Sequence, residues 1–154
     1  MTARSFIITA IALAFCEWAS AAALDGRPNI LLIVADDLGY ADLGAYGSEI
    51  DTPEIDALAR SGVLFTQFHT APMCAPTRAM LLSGNNNAVA GIASQNRYGL
   101  AGVAVPGYEG SLSDRIAPLP RVLRNAGYNT YMAGKWHLGA GPGELPSERG
   151  FERT

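Results

Sequence analysis

Cysteine is nearly missing from this chain: its 154 residues hold only Cys16 and Cys74. Basic runs are missing as well. Lys and Arg number 11 against 14 Asp and Glu, for a formal charge of −3. That mild acidity without a basic patch excludes the electrostatic footprint that nucleic-acid binding requires. No apolar stretch reaches the roughly 20 residues of a membrane-spanning helix, which excludes a stable transmembrane association. No internal repeat is visible, so a solenoid or bladed array is excluded.

At the amino end, residues 1–23 read as a cleaved signal peptide. Arg4 supplies a positive start, and Phe6 through Phe15 form an apolar run too short to span a bilayer. Ala19-Ser20-Ala21 and Ala21-Ala22-Ala23 both offer small-x-small cleavage sites. Cys16 is preceded by the bulky Phe15, which argues against a lipid-modified cysteine. A secreted or periplasmic protein is therefore expected. Loss of the leader leaves Cys74 as a single thiol with no intramolecular disulfide partner, so structure alone explains it poorly. Residues 24–154 make one domain's worth of chain by length. Because the chain stops soon after a loop rich in Gly and Pro, this segment is expected to be the truncated amino-terminal part of a larger catalytic domain.

Along that segment, apolar runs alternate with helical patterns. Residues 29–35, Asn-Ile-Leu-Leu-Ile-Val-Ala, are apolar on both pleat faces and fit a central parallel strand. Thr52 and Pro53 predict a helix start, acids fill its first turn, and Gly62 ends it. Residues 63–69 read as a second strand. Pro76 to Ser83 predicts a short helix stopped by Gly84. Residues 85–114 lack a clear period and read as a long loop, a feature that is usually functional. Leu119 to Asn125 has helical spacing, with Gly127 as its stop, and residues 128–134 read as a third strand. The βαβαβ order predicts an α/β fold with a mostly parallel central sheet and helices on both faces, incomplete at the carboxyl end.

Three short motifs carry the chemistry. Asp36-Asp37 closes the first expected strand at the end where open α/β sheets place ligands. Two adjacent carboxylates repel and suit a hard cation, Ca²⁺ or Mg²⁺, although an isolated pair also fits two solvated acids opening a loop. Cys74 lies just before the helix that Pro76 is expected to start, where free N–H groups and the helix dipole favour an anion, and Arg78 adds a cationic fork one turn on. A packed cysteine and a surface arginine fit the same spacing. In Gly134-Lys135-Trp136-His137-Leu138-Gly139, alternation throws Lys135 and His137 to one side and Trp136 to the other. A lysine can neutralise an oxyanion while a neighbouring histidine moves a proton. His69 reads as a packing or supporting residue, and Tyr98 and Tyr108 as ring-stacking or packing residues.

Taken together, these motifs resemble the sulfatase family, particularly its arylsulfatases, within the alkaline-phosphatase-like superfamily. The likeness runs from Arg27-Pro28-Asn29-Ile30 to Arg149-Gly150-Phe151. Cys74-Ala75-Pro76-Thr77-Arg78 is similar to the family's Cys-x-Pro-[Ser/Thr]-Arg signature, continued by Leu82-Ser83-Gly84. Asp36-Asp37-Leu38-Gly39, Thr52-Pro53, Gly127-Tyr128-Asn129-Thr130 and the Lys135–His137 motif follow in family order. The resemblance implies a sulfuric ester hydrolase in which a formylglycine-generating enzyme oxidises Cys74 to formylglycine. One hydroxyl of the hydrated aldehyde attacks sulfur, and the other helps to release sulfate. Asp36 and Asp37, together with the group at Cys74, would ligate Ca²⁺, with Mg²⁺ as the alternative. Arg78 would fix the hydrate, and Lys135 and His137 would contact sulfate and hydrate. The substrate implied is a small-molecule or carbohydrate sulfate ester. Asn85 departs from the family's frequent arginine, and Thr77 from its commoner serine. Because family members run to several hundred residues, further ligands and catalytic groups are expected beyond Thr154, and this stretch alone is expected to be inactive. Two other outcomes stay open: a phosphonate or phosphodiester hydrolase of the same superfamily, or a non-catalytic fragment.

Overall fold

The computed structural model of the chain describes residues 26–96, 99–100 and 103–154. The expected signal peptide, residues 1–23, and Tyr98 therefore lie outside the described residues. The chain divides into two compact units, Met1–Ala35 and Asp36–Thr154. Of the first, residues 26–35 are described. They form no ladder, and Ile30, Leu31 and Ile33 are exposed.

The second unit begins with two 3₁₀ turns, Tyr40–Asp42 and Gly44–Tyr46. Helix α1 spans Pro53–Ser61. Pro53 sits at its first position with φ preset for the helix, and Glu54 and Asp56 complement the positive end of its dipole. Thr52 does not cap the helix with its side chain, as the sequence had suggested. Its hydroxyl donates to Asp56 Oδ1 at 2.8 Å and accepts from the Gly44 N–H at 2.9 Å. Asp56 Oδ1 also accepts from the Ala45 N–H at 2.8 Å. The helix start is thus tied to the preceding turn, and a Cβ at Gly44 would collide with the Asp56 carboxylate.

Helix α2 spans Cys74–Ser83 and opens two residues before the start expected at Pro76. Met73 is its extended N-cap, so Cys74 occupies the first helical position. Proline is tolerated anywhere in a first turn, whose N–H groups have no intrahelical acceptor, and Pro76 therefore need not mark the boundary. Gly84 ends the helix in the left-handed conformation, its N–H donating to Met80 O at 2.8 Å. Ala75, Pro76 and Ala79 are buried. Small side chains on this face let the helix approach Ala90, Ile92, Leu112, Ile116 and Leu138 closely, and these residues make the core. Leu82 and Trp136 pack against it.

The long loop expected from Asn85 carries a minimal hairpin: β1, Gly99–Leu100, pairs antiparallel with β2, Val103–Ala104. Its base is stitched beneath α2 by backbone bonds from Ala93 N to Gly107 O at 2.7 Å, Ser113 N to Ala90 O at 2.9 Å and Leu112 N to Leu138 O at 3.2 Å. Helix α3 spans Leu119–Asn125, as its spacing predicted, and Gly127 turns the chain out of it. Residues 128–132 are held to the carboxyl end: Thr130 Oγ1 donates to Gly150 O at 2.8 Å, and Tyr131 makes an isolated parallel bridge with Arg153.

The expected parallel sheet is not formed among the described residues. Residues 63–69 are exposed and unpaired, and 128–134 contribute the single bridge at Tyr131. An extended backbone pairs its polar groups chiefly with another strand or water, and here one side chain helps, Tyr46 OH donating to Phe65 O at 2.8 Å. No neighbouring strand lies beside these runs among the described residues, so Val63, Phe65 and Phe68 face solvent.

Candidate active site

Helix α2 delivers the thiol of Cys74 at a turn whose N–H groups lack helical acceptors, a setting that favours an anion. Three side chains from distant segments meet its sulfur. Lys135 Nζ donates to Sγ at 3.4 Å, His137 Nδ1 lies 3.3 Å away, and the thiol donates to Gln95 Oε1 at 3.3 Å. Arg78, one turn along the same face of α2, reaches outward beneath the cluster. Its Nη1 donates to Lys135 O at 2.7 Å and its Nη2 to Asp36 Oδ1 at 3.3 Å.

Lys135 and His137 share a side, as expected, but strand alternation is not the reason. Gly134 has φ 104° and His137 φ 59°, so the backbone turns sharply through this motif. A non-glycine residue at positive φ costs free energy and persists only when its surroundings enforce it. Two anchors do so. Trp136 Nε1 donates to Glu144 O at 2.9 Å while its ring meets Phe151 edge-on, and Leu138 is fully buried in the core. With both held inward, Lys135 and His137 are left to face Cys74.

Asp36 and Lys135 form the tightest ion pair of the cluster, with Nζ 2.7 Å from Oδ2 and 3.0 Å from Oδ1. The lysine hydrogen bond holds the Asp36 carboxyl below its ordinary range; partial desolvation opposes this, and Arg78 reinforces it. Reciprocally, Asp36 raises the ammonium of Lys135, desolvation opposes the rise, and the Cys74 sulfur adds to it. Both side chains are about two-fifths exposed, at 39% and 41%, so water screens the pair and it orients groups more than it stabilises the fold. Arg78 is different. Its side chain is only 11% exposed, and among the described residues its buried Nε has no partner. A buried guanidinium with a free N–H is poised to take another acceptor.

The sequence-predicted residues Asp36, Cys74, Arg78, Lys135 and His137 therefore converge. Asp37 stands apart: it adopts φ 58° and makes no polar contact among the described residues. His69 is exposed, so it is not the packing residue that one of its two readings made it, and Tyr108 is half-buried. Gln95 was missed. A neutral amide inside a loop offers no charge, spacing or periodicity to mark it; only its presence in an unusually long loop hinted at function.

Asp36 and Asp37 supply hard oxygen donors of the type Ca²⁺ and Mg²⁺ prefer. No group of three or more His, Cys, Asp or Glu side chains able to hold a metal occurs among the described residues. The pair thus fits part of a coordination shell. Asp36 is meanwhile neutralised by Lys135 and Arg78.

Cys74 thus opens a helix with Lys135, His137 and Gln95 around its sulfur and with Asp36 and Arg78 behind them. The sulfatase family model matches residues 28–154, and the chain belongs to that family. It is 52% identical over 132 residues to an uncharacterized sulfatase of Schizosaccharomyces pombe, covering 83% of this chain and 24% of that protein. It is 47% identical over 133 residues to an arylsulfatase of Klebsiella aerogenes, covering 86% of this chain and 28% of that one. Among solved structures, that of Ps i-CgsB in complex with k-i-k-neocarrahexaose superposes with a TM-score of 0.68 at 40% identity, covering 82% of this chain and 27% of that one. The chain spans about a quarter of the length of the relatives it matches.

Proposed function

We propose that the whole protein hydrolyses sulfate esters at Cys74 after that residue is converted to formylglycine. The observation that carries this reading is the convergence of Lys135 Nζ and His137 Nδ1 on the Cys74 sulfur, at 3.4 and 3.3 Å. Conversion makes the Cβ an aldehyde carbon and puts oxygen in place of sulfur. Its hydrate supplies two hydroxyls, one for attack on sulfur and one for release of sulfate.

The chain's own residues then take the following parts. Lys135 offsets negative charge on the sulfuryl oxygens. His137, through Nδ1, holds or moves a proton at the group replacing Sγ. Arg78 fixes the Lys135 backbone and Asp36 in register with the helix start, and its guanidinium charge lies one helical turn from the hydrate that it would fix. Asp36 and Asp37 would hold part of the shell of a divalent cation, Ca²⁺ or Mg²⁺, which supplies Lewis-acid stabilisation of charge when bound.

Within this reading the whole protein is α/β with a mostly parallel central sheet, to which 29–35, 63–69 and 128–134 contribute strands. Residues 1–23 serve as a signal peptide and direct export; no helix among the described residues is long and apolar enough to cross a membrane. A carbohydrate sulfate is the favoured substrate class, by analogy with the oligosaccharide bound by the structural neighbour.

The test uses full-length protein produced with a formylglycine-generating enzyme. The mass of the 71–84 peptide reports the conversion, and steady-state rates are compared between paired aryl sulfate and phosphodiester substrates. Sulfate ester turnover that tracks the converted fraction is expected. Faster diester cleavage moves the assignment to a phosphodiester hydrolase, and undiminished turnover with an intact thiol overturns it.

A further inference from the structure

We infer that Gln95 is a specificity-determining residue that hydrogen-bonds the alcohol portion of the substrate next to the scissile ester oxygen. The inference rests on the sulfatase reading above. Among the described residues, the other side chains meeting the Cys74 sulfur, Lys135 and His137, are basic, and the groups behind them, Asp36 and Arg78, are charged. Gln95 is the neutral member: its Oε1 lies 3.3 Å from Sγ and its side chain is exposed.

Basic groups suit the sulfuryl oxygens, which are anionic and accept hydrogen bonds only. A carboxamide is better matched to a hydroxyl or ether oxygen, since it accepts through Oε1 and donates twice through Nε2. The backbone around Gln95 favours such a role. Ala93, two residues earlier, is fixed by its N–H to Gly107 O at 2.7 Å, and Asn87 Nδ2 donates to Ile92 O and Ala93 O at 3.2 and 3.3 Å. β1 begins at Gly99, four residues later. Gln95 therefore stands on a loop with an anchored base, and among the described residues its side chain's polar contact is with the reactive atom. A side chain so placed touches what enters beside the nucleophile and is not needed to hold the fold.

The experiment compares 4-nitrophenyl sulfate with 2-hydroxy-5-nitrophenyl sulfate, which carries a hydroxyl beside the ester oxygen, using converted full-length wild type and Gln95→Leu. The preference in kcat/KM for the hydroxylated ester is expected to fall about five- to tenfold in the variant, the worth of one neutral hydrogen bond. Gln95→Glu, which sets an anion beside the sulfuryl group, is expected to lower kcat/KM about tenfold or more on both esters. An unchanged preference in Gln95→Leu, or undiminished rates in Gln95→Glu, overturns the assignment. Wild-type protein that turns over neither ester instead sinks the sulfatase reading, so the two failures are distinguishable.

Discussion

At the residue scale, the site depends on which charges are spent on one another and which remain for a ligand. Arg78 spends two of its nitrogens on Lys135 O and Asp36, and this bridge needs the planar fork of a guanidinium. Arg78→Lys keeps the charge but serves one partner at a time. It is expected to lower kcat/KM on an aryl sulfate about a hundredfold, the scale of losing one aligned donor, while shifting Tm by only a few degrees. Cys74→Ala is expected to abolish turnover with the melting temperature nearly kept, since the residue is only partly buried. A collapse of stability there would mean that Cys74 packs and does not react.

The Asp36–Lys135 pair sets a pH window. Asp36 is depressed, so its share of stability is present above the ordinary carboxylate range and is lost as pH falls through its lowered value. Lys135 is raised, so its share is present below the ordinary lysine range and is lost as pH rises through its raised value. The melting difference between wild type and Lys135→Met should therefore be flat across neutral pH and close at both extremes. A difference that varied through the neutral range would assign the titration to another group.

At the scale of elements, the site is held by backbone geometry more than by helix propensity. Gly91, at φ 91°, lies under the hairpin loop, and a Cβ there would come 2.5 Å from Ser111 O and 3.1 Å from Ser113 N. Neither backbone atom can yield without breaking the bonds that seat this loop beneath α2. Gly91→Ala is expected to cost on the order of 2–3 kcal/mol by urea unfolding, from strain and collision together. Because the loop carries Gln95, the substrate preference should loosen in the same variant. The helices were readable in advance: α3 falls on Leu119–Asn125 because apolar spacing and the stop at Gly127 mark it. The start of α2 was misplaced by two residues, since Pro76 is compatible with any position of a first turn.

At the scale of the whole molecule, the apolar runs face water. Val63, Phe65 and Phe68 are 78%, 63% and 68% exposed, far beyond scattered surface hydrophobics. This 154-residue chain prepared alone should associate with rising concentration by light scattering, and Phe65→Lys with Phe68→Lys should suppress the association. A monodisperse monomer of the unaltered chain would argue that these faces are covered in a way the described residues do not reveal.

The grouping of Asp36, Cys74, Arg78, Lys135 and His137, the bounds of α3 and the stop at Gly84 were legible from the order of residues, through short motifs in family order, periodicity and caps. Three matters were not. Gln95 reaches Cys74 across 21 positions, His137 faces the thiol from a left-handed backbone, and Arg78 turns toward Lys135 and Asp36. Each is a contact between segments far apart in the chain, and spacing along a polymer says nothing of such meetings until packing around Ala79, Ile92 and Leu138 brings the segments together.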